Sequence, residues 1–564
     1  MLPDLPKDYY LDNVVTLFEH VERLYADILP RQHCDFLQIF AGLPIDAKKL
    51  YVRLLNRSHD LFRQGKLNYP EIESIPKSLT QLESFGLIII SPEVETVELI
   101  RLFSKAELLA TQAKSAELRK FKRDELETYL LSQADSNWLS QLQLGETLLQ
   151  VLCKDSYLIC QMLFFGNLNQ SMTDFVLRGL GISQYEKYTI DPSNRPYTCE
   201  FDIQQHWLLH KIYCLMKTAE PDDIDTLQIC FDSLPTDLAR DSALFRNTER
   251  IKIDIARQFE RLGHLSLALQ HYRQCYLPPS RERSARILNS QGHVEASLAL
   301  CDAIIQRSLG DEELQFGYNF GARLIKQLNK QPAQIKPMDS VLDRYPVFKK
   351  KQYQHKPNLI ELELPQQKGV EQAVADYYQR QNPNNLCYFA ENSLFTGVLG
   401  LLIWDVIFAP VSGAFYNPFQ HRPSDFYAFD FIQKRTSEFS GIWAAISDNE
   451  DILDHVKKYW DQKQGLKNPL VHWSSLNLEI IELALSRIDY QHWLVIFDRI
   501  LLDLRNNRSG FPDLILFPAQ GGYQLIEVKG PGDTLQKNQQ RWMQFFFEQN
   551  IGHAVARVSW HADE

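Results

Sequence analysis

The sequence lacks the features that would place it in a secreted, zinc-bound or membrane-embedded class. Its nine cysteines (Cys34, Cys153, Cys160, Cys199, Cys214, Cys230, Cys275, Cys301 and Cys387) are scattered, with no CxxC and no paired spacing. That excludes a disulfide framework or a structural zinc and implies reduced thiols in a cytoplasmic compartment. The stretch Met1-Leu2-Pro3-Asp4-Leu5-Pro6-Lys7-Asp8 has no basic region followed by an apolar one, so no signal peptide is expected. The longest apolar run, Val398 to Val411, is interrupted by Asp405 and is too short to span a bilayer, so no membrane partner is expected. Positive charge is also scarce: 60 Lys and Arg face 71 Asp and Glu, for a net charge of −11. A wholly basic surface is therefore excluded, and any nucleic-acid contact must come from local patches.

The chain is long, at 564 residues, which suggests about three or four domains. From Tyr10 to about Gly86 the apolar spacing is helical, as in Leu11-Val14-Val15-Leu17-Phe18 and Leu50-Tyr51-Val52-Leu54-Leu55. Lys77 to Ser84 reads as a helix that stops at Gly86 and passes into a short strand at Leu87-Ile88. Residues 1–88 form either a small winged-helix-like packing or a plain helical domain. Ser104 and Glu107 make a Ser-x-x-Glu capping box at the next helix start. The basic turn Leu118-Arg119-Lys120-Phe121-Lys122-Arg123 leads into a second helix. This helix–basic turn–helix resembles a SAP-type DNA-binding module, in which Arg119, Lys120, Lys122 and Arg123 meet phosphates; a solvated helical hairpin is the alternative. Residues 89–240 are assigned to this region.

Residues 241–365 carry a weak repeat. Gly263-His264-Leu265 within Arg261–Leu269 is echoed by Gly292-His293-Val294 within Ser290–Leu300. Helix, Gly turn, helix is the plan of TPR-like repeats, which stack to bury a shared core. Arg281, Arg283 and Arg286 open the second unit, as a phosphate contact or as an ordinary solvated face. A linker with Pro332, Pro337, Pro346, Pro357 and the run Lys349-Lys350-Lys351 follows, and the last domain is placed at 366–564.

The chemistry lies near the C-terminus. Gly510-Phe511-Pro512-Asp513-Leu514-Ile515-Leu516-Phe517 and Tyr523-Gln524-Leu525-Ile526-Glu527-Val528-Lys529 flank a Gly-containing turn, a β-hairpin pattern. Alternation puts Glu527 and Lys529 on one face, with Asp513 beside them across the hairpin. Two carboxylates can hold one or two Mg²⁺ or Mn²⁺ ions, with the Val528 carbonyl as a further ligand. Such ions lower the pKa of a bound water toward about 7, and Lys529 can orient that water or offset charge on phosphorus. On its own the pattern also fits a surface hairpin with a cross-strand ion pair.

The hairpin continues into Gly530-Pro531-Gly532-Asp533 and a helix containing Gln539, Gln540 and Trp542. This stretch resembles the VRR-NUC branch of the PD-(D/E)xK nucleases. Upstream, Glu391 stands ahead of Leu394-Phe395-Thr396-Gly397-Val398-Leu399-Gly400-Leu401-Leu402-Ile403-Trp404-Asp405, where Asn392 or Ser393 can cap the buried helix. Alone, Glu391 could be a helix-dipole partner. Asp405 is a rival acid, expected to be deep and hydrogen-bonded. Joined to the hairpin, the Glu391 segment closely resembles the Fanconi-associated nucleases, as do Leu163–Leu168 and Asp174–Gly181; the likeness covers most of the chain. It implies a multidomain fold: mostly α-helical over the N-terminal two-thirds, then an α/β nuclease domain with inserted helices. By the same match Glu391, Asp513, Glu527 and Lys529 take the catalytic positions, and Glu391, Asp513, Glu527 and Val528 the metal positions.

The resemblance also implies a 5′-flap endonuclease with 5′→3′ exonuclease activity in interstrand crosslink repair, acting on branched or flapped DNA in the cytoplasm, at the nucleoid if bacterial. It implies a basic pocket for a 5′-phosphate. Arg505 and Arg508 match two pocket positions, whereas Asn538 stands where a lysine is expected, with Lys537 beside it. No N-terminal ubiquitin-binding zinc finger is seen. The helical patterns between Glu391 and Asp513 read as insertions that block the dimer used by compact relatives, so a monomer is expected. A junction resolvase or general DNA nuclease, and a TPR-like scaffold that binds DNA without cutting, are the alternative readings.

Overall fold

The protein is described from a computed structural model covering residues 8–111, 115–133, 138, 146–170, 183–329, 345–349, 356–366 and 369–561. Asp174–Gly181, Lys350, Lys351 and most of the Pro-rich linker lie outside these residues. The chain forms two compact units, Met1–Ser183 with Arg195–Ile203, and Gln184–Asn194 with Gln204–Glu564.

In the first unit, helices α1 (Tyr9–Tyr25), α2 (Arg31–Gly42) and α3 (Ile45–Leu55) precede strand β1 (Leu61–Arg63); α4 (Ile75–Ser84) and strand β2 (Ile88–Ile90) follow. The expected helix stop holds: Gly86 takes φ +70, and the chain turns into β2. Strand β3 (Leu148–Val151) enters between β1 and β2 and makes a three-stranded antiparallel sheet, so the winged-helix-like packing is favoured over a plain helical domain. The capping box is formed as expected, with Ser104 Oγ accepting from Glu107 N and Glu107 Oε2 accepting from Ser104 N at 2.8 Å. Arg63, buried beside the Phe103 ring at 4.1 Å, pairs with Glu107 at 2.9 Å and with Glu146, tying the sheet to this hairpin.

The second unit opens with the repeats. Helix α5 (Ala243–Arg261) pairs with α6 (Leu265–Tyr272), α7 (Ser280–Ser290) with α8 (Val294–Gln306), and α9 (Asp311–Asn329) closes the stack. Gly263 and Gly292 take φ +84 and +82, the left-handed conformation that ends a helix at little cost only for glycine. His264 N and His293 N then donate back to Phe259 O and Leu288 O, both at 2.9 Å, so the two turns are copies.

The sheet of the second unit has five strands: β4 (Leu359–Leu364), β5 (Leu386–Phe389), β6 (Leu514–Phe517), β7 (Gln524–Lys529) and β8 (His553–Trp560), in the order β4-β8-β7-β6-β5. β5, β6 and β7 pair antiparallel; β7 with β8, and β8 with β4, pair parallel. β4 lies upstream of the expected start at 366. Its alternation, Leu362 and Leu364 buried while Glu361 and Glu363 face water, is short and sits in a Pro- and Lys-rich stretch. One sheet face, with Leu514, Leu516, Ile526, Val528, Ala556 and Val558, packs on Ala373 and Val374 of α10 (Val370–Gln381).

Between β5 and β6 come α11 (Leu394–Leu402), whose nine residues are all buried, then α12 (Thr436–Ala445), α13 (Asn449–Lys463), α14 (Leu478–Arg487) and α15 (Tyr490–Leu502). Asp405 departs from expectation. It is exposed, although its carboxylate does accept a short hydrogen bond from Tyr459 Oη, because the helix breaks at Ile403 and turns that side chain outward. After β7, α16 (Lys537–Glu548) covers the sheet. Arg541 of α16 is buried and donates to Gln315 of α9 at 3.0 Å, and Arg499 of α15 pairs with Asp311 of α9 at 2.8 Å.

Arg435 is fully buried, chelates Asp425 at 2.8 and 3.0 Å and donates to Val406 O. Breaking such a buried pair from one side costs about 3–5 kcal/mol. Urea unfolding followed by tryptophan fluorescence should show a loss of that order for Arg435→Ala; a change below about 1 kcal/mol would contradict the burial of this pair.

Candidate active site

Asp513 immediately precedes β6, where Leu514 is in register with Ile526 of β7. Its carboxylate is therefore beside Glu527, and Asp513 Oδ2 accepts from Val528 N at 2.7 Å. Glu527 and Lys529 share a face, as alternation predicts, and Lys529 Nζ lies 2.6 Å from Glu527 Oε1. Glu527 is 0% exposed, so water cannot satisfy it. Gln539, in the first turn of α16, donates Nε2 to Glu527 Oε1 at 2.5 Å. The other oxygen, Glu527 Oε2, is buried with no hydrogen-bond partner.

Glu391 is carried to the same end of the sheet by β5. Ala390 N and Glu391 N both donate to Asp513 O, at 2.9 and 3.3 Å. Glu391 itself is exposed. The expected capping by Asn392 or Ser393 is not made: α11 has no side-chain cap, and Asn392, with φ +45, uses its amide to join Glu391 Oε1 at 3.0 Å to Phe511 N at 3.2 Å. Asparagine tolerates the left-handed conformation, which frees it to bridge the two segments.

Burial comes first among the causes that push the Asp513 carboxyl up to about 6, with the charge of Glu391 adding to it and the Val528 amide opposing. Burial likewise pushes Glu527 up to about 7, with Asp513 next and Lys529 opposing. Two acids that resist ionising together, one with an orphaned buried oxygen, fit a hard divalent cation bound through oxygen. Asp513 and Glu527 would hold it. Among the described residues no group of three His, Cys, Asp or Glu side chains is gathered that could hold a metal ion.

Arg505 and Arg508 line a cavity of about 300 Å³ with Glu391, Asn392, His472 and Ser475. Asn538 packs against Gly510, where a side-chain carbon would come within 2.9 Å of its amide. Lys537 is exposed at the start of α16. In the second unit Arg281 and Arg283 are engaged by acids of the repeats. Arg281 pairs with Glu313 and Arg283 with Glu260, both at 2.5 Å. Arg123 pairs with Glu127 and donates to Phe103 O and Ile100 O, whereas Arg119, Lys120 and Lys122 are exposed in the first unit. Sequence reasoning missed Gln539, and also Glu371 at the start of α10, whose charge reaches Asp513. The signal for Gln539 was its place in the capping box Gln536-x-x-Gln539.

A mixed sheet run as α10–β5–β6–β7–α16–β8, with an acid pair and a lysine on adjacent strands, defines a nuclease core of the PD-(D/E)xK type. Residues 448–560 match the VRR-NUC domain, and residues 8–89 match the family described as FAN1, HTH domain. A Fanconi-associated nuclease 1 homolog of Pseudomonas aeruginosa is 31% identical over 100% of this chain and 98% of its own length. A homolog from Arabidopsis thaliana is 22% identical over 97% of this chain and 67% of its own. The crystal structure of paFAN1 bound to 2nt 5′flap DNA with gap superposes with a TM-score of 0.82 at 30% identity, covering both chains completely. The chain belongs to the Fanconi-associated nuclease family, and it is a nuclease.

If Asp513 and Glu527 hold the cation, Mg²⁺ or Mn²⁺ at a hundredfold excess over Kd stabilises the fold by about 2.7 kcal/mol. Thermal melting should show this shift for the wild type and its loss in Asp513→Asn, while in EDTA the variant melts no lower than wild type. An undiminished shift in Asp513→Asn would remove this residue from the ion site.

Proposed function

We propose that this nuclease is a metal-dependent, structure-specific endonuclease that cuts DNA near the base of a 5′ flap, with 5′→3′ exonuclease activity, in repair of interstrand crosslinks. The observation that carries the reading is the shared wall. Glu391 faces both the Asp513–Glu527 pair and the cavity lined by Arg505 and Arg508. An anion held by the two guanidiniums thus lies next to the acids that cleave. The 5′-flap DNA in the paFAN1 structure is that protein's ligand, and it supports the same substrate class here.

A divalent cation, Mg²⁺ or Mn²⁺, would supply a water acidified toward a pKa of about 7 and offset phosphate charge. The chain's own groups do the rest. Asp513, fixed by Val528 N, and Glu527, fixed by Gln539 and Lys529, present oxygens in one orientation. Lys529 brings a proton donor and a positive charge to the oxygens of the scissile phosphodiester. Water adds to phosphorus, the P–O bond to the leaving oxygen breaks, and that oxygen leaves with a proton. Arg505 and Arg508 bind a 5′-terminal phosphate and set how far from the end the strand is cut. The exposed Arg119, Lys120, Lys122 and Lys537 contact the backbone without reading sequence. The enzyme works as a monomer on one strand at a time. Among the described residues no helix is long and apolar enough to cross a membrane, and the proposed place of action is the cytoplasm.

The test uses end-labelled 5′-flap, 3′-flap, nicked and four-way-junction DNA with Mg²⁺, Mn²⁺ or EDTA. Wild type should cut the 5′ flap in metal only, and Asp513→Ala should lower the rate by about a hundredfold or more while retaining binding. A preference for the four-way junction would make the protein a resolvase, and undiminished cutting by Asp513→Ala would overturn the site.

A further inference from the structure

The segment between α11 and α12 has little regular structure, yet it is firmly placed, because Asp425 within it is chelated by the buried Arg435. Two residues further on, Tyr427 stands among three guanidiniums. Arg422 lies 4.6 Å from the ring centroid and donates to Tyr427 Oη at 2.9 Å. Arg508 lies 5.1 Å and Arg505 5.3 Å from the same centroid. Arg422 reaches the ring from five residues before it, whereas Arg505 and Arg508 arrive from the loop after α15.

The field around the ring is positive. Arg250 of α5 is held below its ordinary pKa by burial, then by Arg505 and Arg246. His421 is held down to about 4 by burial, then by Arg422, Lys467 and Arg508, and so stays neutral. Among the described residues, none of Arg422, Arg505 and Arg508 has a carboxylate in ion-pair contact. Like charges on flexible side chains disperse unless something holds them, and the negative face of one aromatic ring is the group all three share. A set of cations gathered without a counter-ion is built for an anion from outside.

We propose that Tyr427 is the positioning residue of the phosphate pocket: its ring gathers Arg422, Arg505 and Arg508 into a cradle for a terminal phosphate monoester. This rests on the reading of the Arg505–Arg508 cavity as that pocket. A monoester carries about −1.5 to −2 charges and three strong acceptor oxygens at neutral pH, whereas an internal diester carries about one. Three converging guanidiniums, each a planar fork of donors, therefore favour the strand end over the strand interior. Without the ring the cations remain, but they no longer converge, and the preference for a strand end falls more than the affinity for DNA does.

The experiment compares 5′-phosphorylated with 5′-hydroxyl flap substrates for the full chain, with kcat and KM measured separately. Tyr427→Leu should lose about tenfold of the preference, chiefly through KM, since one tenfold step shared among the three lost ring contacts is about 0.5 kcal/mol for each. Tyr427→Phe keeps the ring and should retain most of the preference. A metal-induced melting shift equal to wild type in both variants shows that the fold and ion site are intact. Isothermal titration with inorganic phosphate gives a reading without turnover: binding should weaken in Tyr427→Leu and survive in Tyr427→Phe. If wild type prefers the phosphorylated end and Tyr427→Leu keeps that preference, the role of Tyr427 is overturned and the pocket stands. If wild type shows no preference, the pocket reading falls and the cradle with it.

Discussion

Glu527 is fully buried and Asp513 half-buried beside it on the neighbouring strand, and burial lifts both carboxyls toward neutral pH. Repulsion between them adds to that penalty, and one oxygen of Glu527 has no partner. The structure around the pair is arranged to bear this cost. Val528 N, Lys529 and Gln539 each give one stabilising contact to the acids. The strands themselves are part of the core, where Leu514, Ile526 and Ala554 are fully buried. A site under electrostatic stress thus sits on close-packed strands, which keeps the acids from relaxing apart.

The same support explains how residues from distant parts of the chain meet. Antiparallel pairing of β5 with β6 brings Glu391 to Asp513 through two backbone hydrogen bonds, across more than a hundred residues of inserted helices. Those helices pack on the apolar helix α11, and the chain after them carries Arg505 and Arg508 back to the cavity beside Glu391. The insertion therefore sets a pair of arginines in a cavity beside Glu391.

Local patterns were legible in the sequence and tertiary ones were not. The β6–β7 hairpin could be read because alternation and a Gly turn specify it within about twenty residues, and the repeat turns because glycine at φ > 0 leaves a visible mark. Glu391 was legible from the apolar helix after it, although its neighbour Asn392 took a bridging role where a cap was expected. β1 and β3 were not read: each is three or four residues long, and Leu61 finds its partner only at Gln150. β4 was masked by the prolines and lysines around it. Arg281 and Arg283 looked like free cations, because nothing in the local sequence announces Glu313 and Glu260 as their partners. Arg422 and Tyr427 carry no local signal, since their meaning comes from two arginines about eighty positions away.

The buried contact between Arg541 of α16 and Gln315 of α9, with Arg499 and Asp311 alongside, bears on modularity. Composition suggests that the chain could be cut in its proline-rich segment and the catalytic part moved to another protein. Such a fragment would expose an arginine whose acceptor, Gln315, was left behind, on the very helix whose Gln539 steadies Glu527. The repeats are thus part of the catalytic body's interior surface, and recombination at that linker would separate two halves of one folded object. In this family the repeat array and the nuclease are expected to be inherited together, whatever happens to the domains that precede them.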